Sequence, residues 1–214
     1  MVWYFLVALV AVLIFFIVVG AVITRRATGV LIDTRNKVSL SQFQLVLWSW
    51  ILLSGFITIA LARIFVGAED PLGFAWDERL WGLLGISIGS ATASMAIKNV
   101  KKGKEPTAAA FAALGNRQGL LVTNPLPGAA SVWDMFRGEE PANYNLPDIG
   151  KVQMFLFTIV SALAYAFALS RLIANTEPEG ITSMPVLSEG LVFILGISHA
   201  GYLGSKWADK QPST

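Results

Sequence analysis

An almost uninterrupted apolar run, residues 2–24, is followed directly by two arginines, Arg25 and Arg26. At a rise of about 1.5 Å per residue, roughly 20 residues cross the hydrocarbon core of a bilayer as a helix. A cleaved signal peptide would place its positive charge before a shorter apolar run. Because the charge here comes after the run, the pattern predicts a retained transmembrane helix.

Four more apolar runs follow, over about residues 42–65, from Asp77 to Lys98, over 151–174 and over 188–207. The chain is 55% hydrophobic and 14% charged, and its mean hydropathy of +0.62 is typical of membrane proteins. The lack of cysteine excludes disulfides and thiolate metal sites, and a single histidine excludes a histidine-rich metal cage. The sequence therefore predicts an all-α membrane protein with five transmembrane helices and no cofactor.

Polar residues mark the starts of three of these helices. The segment Ser39-Leu40-Ser41-Gln42 fits the capping box, in which side chains satisfy free backbone N–H groups at a helix start. Asp77 and Asp148 stand before the third and fourth runs as N-caps. A proline start and a glycine stop predict a short helix over residues 108–114, inside the long polar segment.

Lysine and arginine are concentrated in the loops on one side of the predicted spans, and the other loops are acidic, with Arg79 as their one clear positive charge. The basic side carries Arg25, Arg26, Arg35, Lys37, Lys98, Lys101, Lys102, Lys104, Arg117, Arg137, Lys151, Lys206 and Lys210. Cytoplasmic loops carry an excess of lysine and arginine. The distribution predicts a bacterial inner-membrane protein with its N-terminus outside and its C-terminus in the cytoplasm.

The string LGIS occurs twice, at residues 84–87 and 195–198, an offset of 111 positions. Each copy opens a row of small residues spaced four apart, which places the row on one helix face. The rows are Gly85, Gly89 and Ala93 in the first copy and Gly196, Ala200 and Gly204 in the second. Small side chains allow a second helix to approach closely within a membrane, so both rows are predicted helix-packing surfaces.

The repeat extends to the preceding helices, where Gln44, Trp48 and Ser49 align with Gln153, Phe157 and Thr158 at an offset of 109. The sequence thus predicts an N-terminal helix (1–24), a first hairpin (39–98), a cytoplasmic loop region (99–147), a second hairpin (148–207) and a cytoplasmic tail (208–214). The two hairpins would be parallel repeats. Transporters built from repeats often place a site between the halves, whereas a duplicated module that only packs against its own copy is the simpler interpretation.

Two stretches, SLSQFQLVLW (39–48) and MPVLSEGLVFILGISHAGYLGSKW (184–207), resemble a family of uncharacterised bacterial multi-span membrane proteins. That family has a Ser-Leu-x-x-x-Gln-x-x-x-Trp helix start and a second helix reading Gly-Ile-Ser-x-x-x-Tyr-x-x-x-Lys. The second motif matches at Gly196, Ile197, Ser198, Tyr202 and Lys206, and the first hairpin departs from it with Ala91 and Met95. The resemblance implies a helical-hairpin architecture and an association with large envelope-spanning assemblies such as contractile injection machines.

Three polar residues near the LGIS strings, Ser87, Ser198 and His199, are candidates for a polar pathway. An ionisable side chain within a membrane is a functional candidate by default. The alternative is a neutral imidazole bonded to a neighbouring helix, with each serine bonded to a carbonyl one turn earlier. The residue equivalent to His199 in the first hairpin is Ile88, which disfavours a symmetric proton path.

Four lysines that follow the third span, Lys98, Lys101, Lys102 and Lys104, predict contact with membrane lipids or an acidic partner. Nucleic acid is disfavoured because the group is small and has no interleaved aromatic residues.

Known catalytic motifs are missing from the sequence, so it does not predict an enzyme. The first hypothesis is an integral membrane structural or anchoring subunit that packs into a homo-oligomer or a larger envelope-associated complex. The second is a small channel or transporter with a path between the two hairpins.

Overall fold

The computed structural model describes residues 1–108 and 116–210, and within them the chain forms five long helices. These are α1 (Val2–Thr24), α2 (Leu40–Phe65), α3 (Glu78–Lys102), α4 (Ile149–Asn175) and α5 (Glu189–Trp207). A two-stranded antiparallel sheet, β1 (Arg117–Gln118) and β2 (Leu121–Val122), lies between α3 and α4. Short 3-10 helices cover Gly29–Leu31, Pro127–Ala129, Val132–Phe136 and Pro178–Gly180. The short helix predicted over residues 108–114 lies almost wholly outside the described residues, as do residues 211–214 of the predicted tail.

Four of these helices, α1 to α4, are long and apolar enough to cross a membrane. The helix α5 does not meet the same criterion of length and composition, because His199, Lys206 and several glycines lower its mean hydropathy. The predicted all-helical fold is confirmed, with four helices that could cross a membrane by length and composition. The fifth span and the parallel repeat remain predictions.

Two helical hairpins, α2–α3 and α4–α5, pack side by side, with α2 against α4 and α3 against α5. The helix α1 packs mainly on α2, and the Tyr4 and Phe65 rings stack where α1 begins and α2 ends. One end of the bundle therefore holds the ends of α1, α3 and α5 and the starts of α2 and α4, and we call it the charged end. The opposite end holds the starts of α3 and α5.

Large apolar side chains fill the space between the hairpins, and Trp48, Leu52, Ile59, Leu80, Leu83, Tyr165, Leu169 and Leu195 are all buried. Trp48 meets Tyr165 edge to face, with ring centroids 6.1 Å apart. One buried polar contact joins α2 to α4, since Gln44 Nε2 donates to Thr158 Oγ1 at 2.6 Å. Most large side chains of α1 are exposed and apolar, as in a helix that faces lipid.

Backbone contacts close the opposite end. The Arg63 guanidinium is buried and donates to the Ile181 carbonyl at 2.8 Å and to the Asp70 carbonyl at 2.9 Å. Ala75 and Ser183 form a parallel bridge between the two turns. Together these contacts join the turn of the first hairpin to the turn of the second.

The predicted small-residue rows do not form the close helix contacts within the chain. A Cβ atom added at Gly85, Gly89 or Gly204 would meet nothing within 4 Å, and one at Gly196 would lie 3.7 Å from Ile86 Cδ1. Ala200 is exposed and Ala93 is half-buried. Four of the six row residues, Gly85, Gly89, Ala200 and Gly204, are therefore exposed on the outside of the bundle.

Close approach occurs instead at glycines outside the rows. A Cβ at Gly20 would lie 2.8 Å from the backbone nitrogen of Gly29, where the loop after α1 folds back onto the helix. A Cβ at Gly55 would lie 2.6 Å from Leu169 Cδ2, at the contact between α2 and α4. The sequence spacing did not indicate either position, because both glycines lie alone in their helices.

Burial does not follow the register of the sequence repeat. Gln44 is buried, whereas Gln153, its partner at an offset of 109, is exposed. His199 is buried, whereas Ile88, its partner at an offset of 111, is 52% exposed. In α2 and α4 the buried positions coincide at an offset of 110, as in Trp48 with Thr158. A short string match thus locates related segments without identifying which face is buried.

Replacing Gly20 with alanine tests the close approach of backbone to backbone. We expect Gly20→Ala to lower the free energy of unfolding by about 1–3 kcal/mol, because the added methyl group overpacks a rigid contact. The measurement is denaturant or thermal unfolding of the purified protein in mild detergent.

Gly201→Ala is the matched control, since a Cβ there meets nothing within 4 Å. It should stabilise the protein by up to about 1 kcal/mol through helix propensity alone. Equal effects of the two substitutions would contradict the packing role of Gly20.

Candidate functional site: a buried charge cluster

Six charged side chains from five different segments meet at the charged end of the bundle. They are Asp33 and Arg35 from the loop before α2, Lys98 from α3, Glu139 from the loop before α4, Lys151 from α4 and Lys206 from α5. We call this set the charge cluster. Its four cations and two carboxylates are all shielded from solvent, with side chains at most 10% exposed.

A tight turn over residues 33–37 places the first two members. The backbone nitrogen of Arg35 donates to Asp33 Oδ1 at 2.9 Å, as short polar side chains do in turns. Asn36 adopts a left-handed conformation with φ 58°, and Ile32 pairs with Val38 across the turn. Arg35 then donates through Nε and Nη2 to Asp33 Oδ2, at 2.9 and 2.7 Å.

Glu139 is the hub of the cluster. Its Oε1 accepts from Lys206 Nζ at 2.8 Å, from Lys151 Nζ at 3.0 Å and from Arg35 Nη2 at 3.4 Å. The backbone around it is held as well, because the Glu139 carbonyl accepts from the backbone nitrogen of Val122 in β2. One carboxylate thus joins the loop before α2, the loop before α4, and helices α4 and α5.

Polar contacts extend from the cluster into the bundle. Lys206 Nζ also donates to Tyr202 Oη at 2.7 Å, one turn earlier in α5, and to Ser94 Oγ of α3 at 2.8 Å. Lys98 Nζ donates to Asp33 Oδ2 at 2.6 Å. The last turns of α3 and α5 are therefore connected to the loops through lysine side chains.

Neutral pairs surround the cluster. Lys101 pairs with Glu140 at 2.5 Å, and both side chains are buried. Lys37 pairs with Asp134 at 3.4 Å, and its ammonium lies 4.2 Å from the centre of the Tyr144 ring. Because each of these pairs has no net charge, any excess of positive charge in this region lies in the charge cluster.

The environment keeps the loop charges ionised. Burial raises the pKa of Glu139, but Arg35, Lys151 and Lys206 outweigh burial and hold that pKa well below its ordinary value of 4.5. Burial likewise raises the pKa of Asp33, and Arg35 and Lys98 lower it further than burial raises it. Burial lowers the pKa of the Arg35 guanidinium, but Glu139 and Asp33 raise it more.

With all six groups ionised, the four cations and two carboxylates would leave the cluster with two excess positive charges. Two atoms in it are also buried without a partner in the described part of the chain, Arg35 Nη1 and Glu139 Oε2. Buried charge is costly unless it is paired and hydrogen-bonded. The arrangement can therefore hold segments together strongly and can also attract an anion.

The predicted lysine contacts are corrected by this geometry. Lys98 and Lys101 are buried in ion pairs with Asp33 and Glu140, so neither lies on the exposed surface of the charged end. Lys102 donates to Thr34 Oγ1 and is half-buried, and Lys104 is exposed and pairs with Asp209. Only the last two lysines remain at the surface, where the prediction placed all four.

The predicted polar pathway is divided between interior and surface. Ser87 and His199 are buried within the bundle, whereas Ser198 is half-buried. His199 Nδ1 and Ser90 Oγ are buried without a hydrogen-bond partner among the described residues. Helices α3 and α5 pack against each other, and Ser94 and Tyr202 meet there at 3.5 Å.

The cluster is not predicted from the sequence. Each lysine and arginine is interpreted there as a signal of membrane orientation, and no contact between different loops is considered. One sequence signal could have indicated the cluster, since Lys98 falls near the end of α3 and Lys206 in the last turn of α5, and both helices are largely apolar. Lysines at such positions require either a route to the interface or a partner. The identity of the partners, Asp33 and Glu139, depends on loop folding.

Comparison with protein-family models, curated proteins and solved structures finds no match for this chain.

Replacing Glu139 tests its role as the hub. We expect Glu139→Gln to lower the free energy of unfolding by about 3–5 kcal/mol, because it leaves buried cations without their carboxylate. Chemical unfolding in mild detergent measures the change. Glu179→Gln is the matched control, because Glu179 is exposed at the opposite end. A loss no larger than the control's would contradict the role.

The stability of the folded protein should also decrease at acid pH, as its buried carboxylates become protonated. Glu139 and Asp33 have folded-state pKa values below their ordinary values of 4.5 and 3.8. Their contribution is therefore complete above about pH 5 and is lost as the pH falls through the unfolded-state values toward the folded-state ones. We expect the stability that Glu139 and Asp33 contribute to be nearly constant from about pH 7 to 5 and to fall steeply below about pH 4.5, and the difference in unfolding midpoint between the unsubstituted protein and Glu139→Gln at each pH measures the Glu139 part.

Variants show which carboxylates cause the decline in the unfolding midpoint at acid pH. Glu139→Gln should make the decline below about pH 4.5 shallower, whereas Glu179→Gln should keep the slope of the unsubstituted protein. An unchanged decline at acid pH in Glu139→Gln would contradict the assignment.

Proposed function

We propose that this protein is an integral membrane structural or anchoring subunit of a bacterial inner membrane. It packs into an oligomer or a larger envelope-associated assembly, and its charged end presents a folded cytoplasmic surface to partners. The proposal rests on the charge cluster, which ties the long loop before α4 to the loop before α2 and to the ends of two helices, α4 and α5, through Glu139. A loop held in this way has a fixed conformation, so it can present a defined surface to a partner, and we call the long loop before α4 the platform.

Apolar residues around the charged end suit a position at the membrane interface. Leu126, Val132, Trp133 and Leu146 are exposed on the loop side, and Asp134 and Met135 of the same 3-10 helix are buried. An apolar groove of about 500 Å³ runs between Trp133, Leu146 and Leu156. Tryptophan at the headgroup level is common in membrane proteins. These residues would hold the platform against the bilayer.

Orientation follows from the charge distribution. Of the sixteen lysines and arginines, only Arg63, Arg79 and Arg171 lie at the opposite end. The excess of lysine and arginine at the charged end supports a cytoplasmic location for it, and hence an external N-terminus.

The open glycine rows supply the assembly surface in this proposal. Gly85, Gly89 and Gly204 lie on outward faces with empty space above them. In a membrane, such faces allow a helix of a second molecule to approach closely. Parallel hairpins related by the LGIS repeat would present two similar faces.

Leucine substitution tests the assembly surface. Gly89→Leu and Gly204→Leu should disrupt the complex without preventing membrane insertion or lowering the unfolding midpoint, since neither side chain clashes within the chain. Gly201→Leu is the matched control, because its Cβ also meets open space but lies outside the rows. Native-size complexes from both row variants, measured by size-exclusion chromatography in mild detergent, would contradict the proposal.

A pull-down on the native chain, with mass spectrometry of the captured proteins, tests the function itself. A large complex that contains soluble partners supports the anchor. A small homo-oligomer alone, with a solute flux that changes when His199 is replaced, favours the channel or transporter, for which the buried polar contacts between α3 and α5 provide a starting point.

A further inference from the structure

A second cavity lies at the charged end, between the start of α2 and the end of α3. Its volume is about 220 Å³. One wall is polar, with Asp33, Thr34, Ser39, Ser41, Gln42 and Lys98, and the other is apolar, with Leu45, Ala91 and Met95. Met95 is 52% exposed, so the cavity borders the outer face of the bundle. We call it the α2–α3 cavity.

The polar wall has unused hydrogen-bond donors. It includes the first turn of α2, where backbone N–H groups have no partner within the helix and the dipole favours negative charge. Ser39, at the N-cap, makes no side-chain capping bond. Ser41 is 97% buried, and its Oγ has no hydrogen-bond partner in the described part of the chain.

Lys98 adds a buried positive charge to the same wall. Its ammonium can donate three hydrogen bonds, and Asp33 is its one hydrogen-bond partner among the described residues. Asp33 is in turn shared with Arg35 and belongs to the charge cluster, which would have two excess positive charges if all of its groups were ionised. Such an excess is stabilised either by loss of a proton from a lysine or by an anion.

We propose that the α2–α3 cavity binds the phosphate of an anionic phospholipid. The phosphate lies at the start of α2 near Ser41 and Lys98, and an acyl chain follows Leu45, Ala91 and Met95 toward the bilayer. Free phosphate shares the headgroup chemistry, but it cannot use the apolar wall. The anchoring function is not required for this site, because a helical bundle in a membrane is enough to bring the cavity next to lipid.

Native mass spectrometry of the delipidated full-length protein in mild detergent tests the site directly. We expect dioleoylphosphatidylglycerol to bind with one tight site, and dioleoylphosphatidylcholine to bind at least about tenfold more weakly. Equal binding of the two lipids, or no tight site for either, would overturn the proposal. The isolated protein suffices, so failure here is distinct from failure to find an assembly partner.

Two variants locate the binding within the cavity. Ala91→Leu fills the apolar wall and should weaken phosphatidylglycerol binding at least about tenfold, whereas Ala96→Leu, on the exposed side of α3, should not change it. Ser41→Ala removes one hydroxyl with little risk to the fold and should weaken binding about tenfold, the cost of a hydrogen bond to a charged group. Unchanged binding in both Ala91→Leu and Ser41→Ala would overturn the assignment.

Inorganic phosphate separates the two sources of the anion. We expect phosphate to displace phosphatidylglycerol only at far higher concentration, because the apolar wall adds nothing to its binding. Phosphate binding as tight as that of the lipid would overturn the identification of a lipid site.

Discussion

The carboxylate of Glu139 is the contact on which the charged end depends. It accepts from Arg35, Lys151 and Lys206, which come from a loop and two different helices. Each of these cations is buried, and a buried cation without a partner is strongly destabilising. Removing this one carboxylate would therefore disturb several segments at once, whereas removing any single cation would leave the others paired.

Buried polar side chains are satisfied by different kinds of partner in different parts of the bundle. About one turn into α2, a neutral pair suffices, with Gln44 donating to Thr158 of α4. At the opposite end, Arg63 is satisfied by backbone carbonyls of the turns. Full ion pairs are concentrated at the charged end, where loop segments can bring carboxylates to lysines on the ends of the helices.

The α2–α3 cavity and the glycine rows lie where close packing and ion pairing within the chain end. Close packing within the chain uses isolated glycines such as Gly20 and Gly55, and it leaves the repeated rows outward. The ion pairs likewise use most donors of the charged end, and leave Ser41 and the first turn of α2 without partners. Both surfaces are left without a partner by the packing within the described chain, so a second molecule or a lipid has room to bind there.

The sequence alone determined the helical class, the positions of the five long helices, four of which are long and apolar enough to cross a membrane, the helix starts at Asp77 and Asp148, and the unequal charge of the two ends. These properties are local, because hydropathy and capping depend on residues within one helix. Tertiary structure decided which faces are buried and which charges pair. Arg35 and Glu139 are 104 positions apart, and Lys206 and Glu139 are 67 apart, so no local pattern records those contacts. Long-range pairing depends on how the loops fold over the helix ends, and that folding is specified by the whole bundle.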